Sequence, residues 1–137
     1  MNPKNTLLCF GISLLTIAPV LRAETSAYAA IVKERDTVLV KIVADVENRH
    51  SLGTADDEAV WAAKLSLLSF RRDTASTASE KLRQQDLVVA LQEKRLSTLQ
   101  ARSKTGVSDP LDVLRATDAL LAAKQLQAEI QLDGKKG

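Results

Sequence analysis

Few side chains in this sequence could carry chemistry, and their spacing points away from catalysis. His50 is the single histidine and Cys9 the single cysteine. A metal site at His50 would have to recruit several carboxylates from elsewhere, so an exposed turn histidine is expected there. The acid pairs Asp56/Asp57 and Asp109/Asp112 stand just after glycine breaks. At a helix start, capping and the helix dipole account for such acids without a catalytic role. There is no glycine-rich phosphate loop, no paired histidine and no serine-histidine-acid set, so no catalytic, cofactor-binding or metal residue is assigned and no enzyme is expected. Arg71-Arg72 and Lys135-Lys136 are isolated basic pairs balanced by acids. They read as solvated surface rather than as a nucleic-acid site.

The N-terminus reads as an export signal. Lys4 precedes the apolar run Leu7–Val20, and Leu21-Arg22-Ala23 offers a small residue for cleavage after Ala23. The run is shorter than the roughly 20 residues a membrane-spanning helix needs. Cleavage would remove Cys9, and with it every route to a disulfide. It would also remove Lys4 and Arg22 from the 19 basic residues and none of the 17 acids, leaving a formally neutral chain. The net charge of +2 is therefore no argument for a nucleic-acid or anionic-membrane partner. Export without disulfides fits a bacterial periplasm, where such a fold must be held by packing alone. The expected organisation is a signal peptide (1–23), one helical domain (24–132) and a disordered tail (133–137), with no transmembrane segment after cleavage.

Glycine and proline punctuate what must position these residues. Gly53 and Gly106 are the internal breaks, and between them run helix formers with little else. Only Tyr28, Trp61 and Phe70 remain as aromatics after the signal, which argues against a β-sandwich or barrel. The chain is predicted all-α, with long antiparallel coiled-coil hairpins: three helices at about 26–49, 57–103 and 110–132, the middle one flanked by the two shorter. Val38–Val43 is β-branched but has no second strand to pair with. Asp109 should cap the last helix, Pro110 should occupy its first position, and Thr54 with Asp57 resembles a capping box for the middle one. Val113, Ala116, Leu120, Ala123 and Ile130 form a coiled-coil seam, with Gln127 as a polar interruption. Asp73–Glu80 is poor in large apolar residues, and Thr77 with Glu80 could cap a new helix. A break near 73–77 would give a four-helix up-down bundle with both glycine turns at one end. Continuity is the favoured reading because neither Gly nor Pro stands there.

The two breaks look like copies. At an offset of 53 residues seven identical pairs cluster around the breaks: Arg49/Arg102, Gly53/Gly106, Asp56/Asp109, Val60/Val113, Ala63/Ala116, Leu67/Leu120 and Leu68/Leu121. They fall on the turn and on one helical face after it, which suggests a duplicated hairpin.

The stretch Leu99–Ile130, and within it Thr105-Gly106-Val107-Ser108-Asp109-Pro110-Leu111-Asp112-Val113-Leu114 and Leu120-Leu121-Ala122-Ala123-Lys124, resembles the helical repeat of the outer-membrane efflux protein (TolC-like) family. In that family a Gly-Val or Gly-Leu turn followed by Asp-Val-Leu closes the periplasmic tip of a helical hairpin, where the coiled coil of an adaptor docks. The resemblance implies that Thr105, Gly106 and Val107 form a partner-binding tip, and that Asp112, Val113 and Leu114 open the returning helix. The Gly53 turn departs from the pattern, with Ala59 in place of Asp and Trp61 in place of Leu. Family members are several times longer and carry membrane strands, and no alternating ten-residue segment of that kind is present. The resemblance thus implies a non-enzymatic, exported periplasmic unit, outer-membrane associated at most, that works by coiled-coil contact with itself or with an adaptor or efflux component. The alternative is a small periplasmic envelope or stress protein unrelated to efflux.

Overall fold

The two glycines end helices because each takes a backbone conformation that side chains with a Cβ resist. Gly53 and Gly106 both have φ of 72°. In the computed structural model, which describes residues 18–135, they separate helices in the order α1 (Ala18–Ser51), α2 (Asp57–Thr74), α3 (Ala78–Lys104) and α4 (Pro110–Gly134). No strand occurs among the described residues. The chain divides into two compact units, Met1–Ile31 and Val32–Gly137. The described part of the first is helical from Ala18. The bundle described below belongs to the second.

The starts of α2 and α4 have local causes. The Asp56 carboxylate accepts from the Ala59 N–H at 2.8 Å and that of Asp109 from the Leu111 N–H at 2.8 Å, with Pro110 in the first turn. Asp56 is therefore the cap of α2, not Thr54. The Thr54 hydroxyl donates backwards, to the Arg49 carbonyl at 3.0 Å, and helps close the preceding helix.

The middle of the chain is two helices, not one. α2 ends at Thr74 and α3 starts at Ala78, so the favoured continuous helix 57–103 gives way to the four-helix arrangement. The break falls where the side chains compete for the backbone. The Thr74 hydroxyl donates to the Phe70 carbonyl at 2.8 Å, and the Thr77 hydroxyl accepts from the Glu80 N–H at 3.1 Å. No large apolar residue lies between Thr74 and Ser79 to make a straight helix worth burying. Other bounds move less. α1 reaches Ser51, its β-branched Val38–Val43 run included. Asp133 and Gly134 belong to the last turn of α4, while 136–137 lie outside the described residues. The expected signal segment lies outside them for residues 1–17, and Ala18 to Ala23 continues into α1.

α3 is the central helix and packs closely on both α2 and α4. Its buried seam Gln85, Val89, Gln92 and Leu99 carries the period of a coiled coil. Val88, Val89 and Ala123 form a core cluster, against which Leu65, Leu68 and Leu120 pack. Gln85 fixes the register across three helices. Its amide donates to the Ala123 carbonyl at 2.7 Å, and its carbonyl accepts from Arg72 at 3.0 Å. From Val32 onward α1 is held to α2 by long side chains. Asp36 accepts two bonds from Arg71 at 2.6 and 2.9 Å, Glu47 meets Lys64 at 2.6 Å, and the Arg35 guanidinium lies 4.7 Å from the centre of the Phe70 ring. The Arg71 hydrogen bonds hold the Asp36 carboxyl below its ordinary range, against the opposing effect of burial. No helix among the described residues is long and apolar enough to cross a membrane.

Candidate docking tip

An up-down bundle with these connections brings Gly53 and Gly106 to one end. Both turns close through the same pair of backbone bonds. Gly53 donates to His50 at 3.0 Å and Thr54 to Arg49 at 2.9 Å; Gly106 donates to Ser103 at 3.0 Å and Val107 to Arg102 at 2.9 Å. The offset of 53 residues seen in the sequence thus recurs bond by bond.

Asp57 fastens the two turns. Its carboxylate accepts from the Arg102 guanidinium, next to the second turn, and contacts His50 Nε2 at 2.7 Å, next to the first. Burial pushes this carboxyl up, but hydrogen bonds from Arg102 and then His50, with their charges, hold it below the usual range. The next residue, Glu58, takes a forked contact from Arg95 at 2.9 and 3.0 Å, while Arg95 lies 5.9 Å from the centre of Trp61. The turn histidine expected from the sequence is half exposed, in line with that expectation, but it is tied to the Asp57 clamp. The clamp itself could not be read from the sequence, since 45 residues separate its partners.

The tip residues Thr105, Gly106 and Val107 face solvent. Val107 is 74% exposed and Leu52, beside the first turn, 69%. A Cβ on either glycine would meet nothing within 4 Å, so the backbone conformation alone selects glycine there. Two grooves flank the tip. The first, about 360 Å³, is walled by Glu47 and His50 of α1 and Asp57, Val60, Trp61 and Lys64 of α2, with Leu91, Lys94 and Thr98 of α3 as its third wall. The second, about 570 Å³, is lined by Gln100, Ser103 and Lys104 of α3 and Pro110, Val113 and Leu114 of α4. In the first groove Glu47 meets Lys64, and Asp57 meets Arg102 from beyond its wall. Among the described residues no cluster of three His, Cys, Asp or Glu side chains could hold a metal ion.

No protein family, characterised protein or solved structure matches the chain. The class defined by the fold is an all-α protein of paired helical hairpins, with a clamped, solvent-facing pair of turns at one end.

Proposed function

We propose that this protein is a non-enzymatic helical-hairpin module, exported to a bacterial periplasm with cleavage after Ala23. In this reading it works by coiled-coil contact, with Thr105, Gly106 and Val107 as a docking tip for a helical adaptor of an efflux or secretion assembly. The observation that carries the reading is the pairing of two glycine turns closed by matching backbone bonds and clamped through Asp57 and Arg102, with Leu52 and Val107 turned to water. An isolated turn would need no such clamp to end a helix. An exposed apolar pair on a rigid support is what a docking surface requires. The likeness of Leu99–Ile130 to the efflux-protein hairpin supplies the kind of partner.

The test is binding of the chain to purified periplasmic adaptor hairpins, by wild type and by Val107→Asp, with helicity followed by circular dichroism. The tip reading expects unchanged helicity and at least about tenfold weaker binding for the variant, the loss typical of a central apolar contact. Binding by neither protein, with the fold intact, would favour an envelope or stress protein unrelated to efflux.

A further inference from the structure

The hairpin α1–α2 and the hairpin α3–α4 are equivalent beyond their turns. The half-buried face of α1 is Val32, Asp36, Leu39, Val43 and Val46. Adding 53 to each gives Gln85, Val89, Gln92, Leu96 and Leu99, the face that α3 turns to α4. The flanking grooves correspond in the same way: His50 with Ser103, Val60 with Val113 and Trp61 with Leu114 line them at matching positions. The matching positions read as two copies of one unit, with the α2–α3 interface where the first would meet the second.

Among the described residues no helix packs on the α4 face that matches the one α2 gives α3, nor on the α1 face that matches the one α3 gives α2. α2 presents Glu58, Trp61, Leu65 and Leu68 to α3; the equivalent residues of α4 are Leu111, Leu114, Asp118 and Leu121. Trp61 is 7% exposed, but Leu114 is 65% and Leu121 61% exposed. The first groove is closed by Leu91, Lys94 and Thr98, whose equivalents are Val38, Lys41 and Asp45 on the solvent-facing side of α1. Val38 and Ile42 are both more than two-fifths exposed. Arg102 crosses to Asp57, while its counterpart Arg49 folds back onto Asp45 of its own helix at 2.8 Å.

The chemistry of the two bare faces matches. Where α2 and α3 join the ion pair Glu58–Arg95, the end faces offer Leu111 and Ile42. Where Leu65 packs against the cluster holding Val88, the equivalent positions are Asp118 and Arg35, of opposite charge, although the Arg35 guanidinium already lies over the Phe70 ring of α2. We infer that the outer face of α4 in one copy packs on the outer face of α1 in a second copy of this chain. That contact repeats the α2–α3 interface, with Leu114 in the place of Trp61. It is heterologous, joining one surface to a different one, so it builds closed rings or filaments rather than a two-fold pair of identical faces. This deepens the proposed role as an assembly module but does not use the Val107 tip.

The full chain is followed by light scattering over a hundredfold concentration range, beside Leu114→Asp, Ile42→Asp and Val107→Asp. Wild type and Val107→Asp should assemble. Leu114→Asp and Ile42→Asp, each altering an exposed position, should keep their helicity and each remain single chains. Mixed together, these two should form one-to-one dimers, because each retains the face the other lacks. Asp118→Arg should weaken assembly about tenfold with its helicity unchanged. A wild type that stays a single chain, a blocked variant that still pairs with itself, or a mixture that stays apart would each overturn the inference. If wild type stays single but its adaptor binding still depends on Val107, only the self-assembly is lost and the docking tip survives. Assembly without adaptor binding would instead remove the docking tip and leave the self-assembly standing.

Discussion

Arg102 reaches across from the end of α3 to the carboxylate of Asp57 at the start of α2, and through it two glycine turns far apart in sequence are held side by side. Because His50 meets the other carboxylate oxygen, Asp57 ties three helix ends to one group. Capping Asp56 precedes it and α2 begins at it, so the negative charge also sits favourably at a helix N-terminus.

Stability should fall in acid through this carboxylate and Asp36. Both have folded-state pKa values below the unfolded value of 3.8, so the stability they add is complete above about pH 4 and is lost as pH drops through the folded-state values. Glu80, held down to about 2 by the Arg83 guanidinium and then by Gln84, adds its own loss between its ordinary value of 4.5 and about 2. Melting temperatures should be flat from pH 7 to 5 and decline between about 4 and 2. Asp36→Asn should flatten that decline; an unchanged slope would show that Asp36 plays no part in it.

Gly106→Ala and Gly53→Ala should each cost about 1 kcal/mol, because the left-handed backbone strains any Cβ although the space is open. Gly106→Asn should cost less, since asparagine tolerates this conformation best among the other residues. Urea midpoints would show the ordering, and equal losses for Ala and Asn would contradict it.

The Oε1 atom of Gln92 is buried without a hydrogen-bond partner. Leu39 holds the equivalent position in the first hairpin. Gln92→Leu should therefore stabilise the fold, by about 1 kcal/mol, by removing an unsatisfied carbonyl. A drop in the thermal midpoint would mean that this oxygen is satisfied in solution.

Amide exchange should be slowest in α3, covered on two sides, and fastest in α1, whose seam is only half buried. If copies join through the outer faces, protection should rise with concentration around Val38 and Ile42 and around Leu114. Uniform protection at all concentrations would count against both expectations.

The amino-acid sequence by itself determined the helices, their glycine stops, the aspartate and proline that open α4, and the seam from Val113 to Ile130. Each rests on contacts within about four residues along the chain, which spacing alone reveals. It also suggested the repeat, because seven identities clustered around the two breaks share one offset that is visible without coordinates. It left the break at Ala75 as the less favoured reading, since the small polar residues there weaken a helix without forbidding one. Only the tertiary structure decided that α3 has two faces in use, one for α4 through Gln85 and Val89 and one for α2 through Arg95 and Arg102. Once the chain folds back at Ala75, those partners meet across 37 to 45 residues. Which of two similar helical faces is covered is then set by where the neighbouring helices end, and no local periodicity records that. The same helical pattern therefore buries Trp61 and leaves Leu114 in water, because α3 packs on that face of α2 and no described helix packs on the matching face of α4.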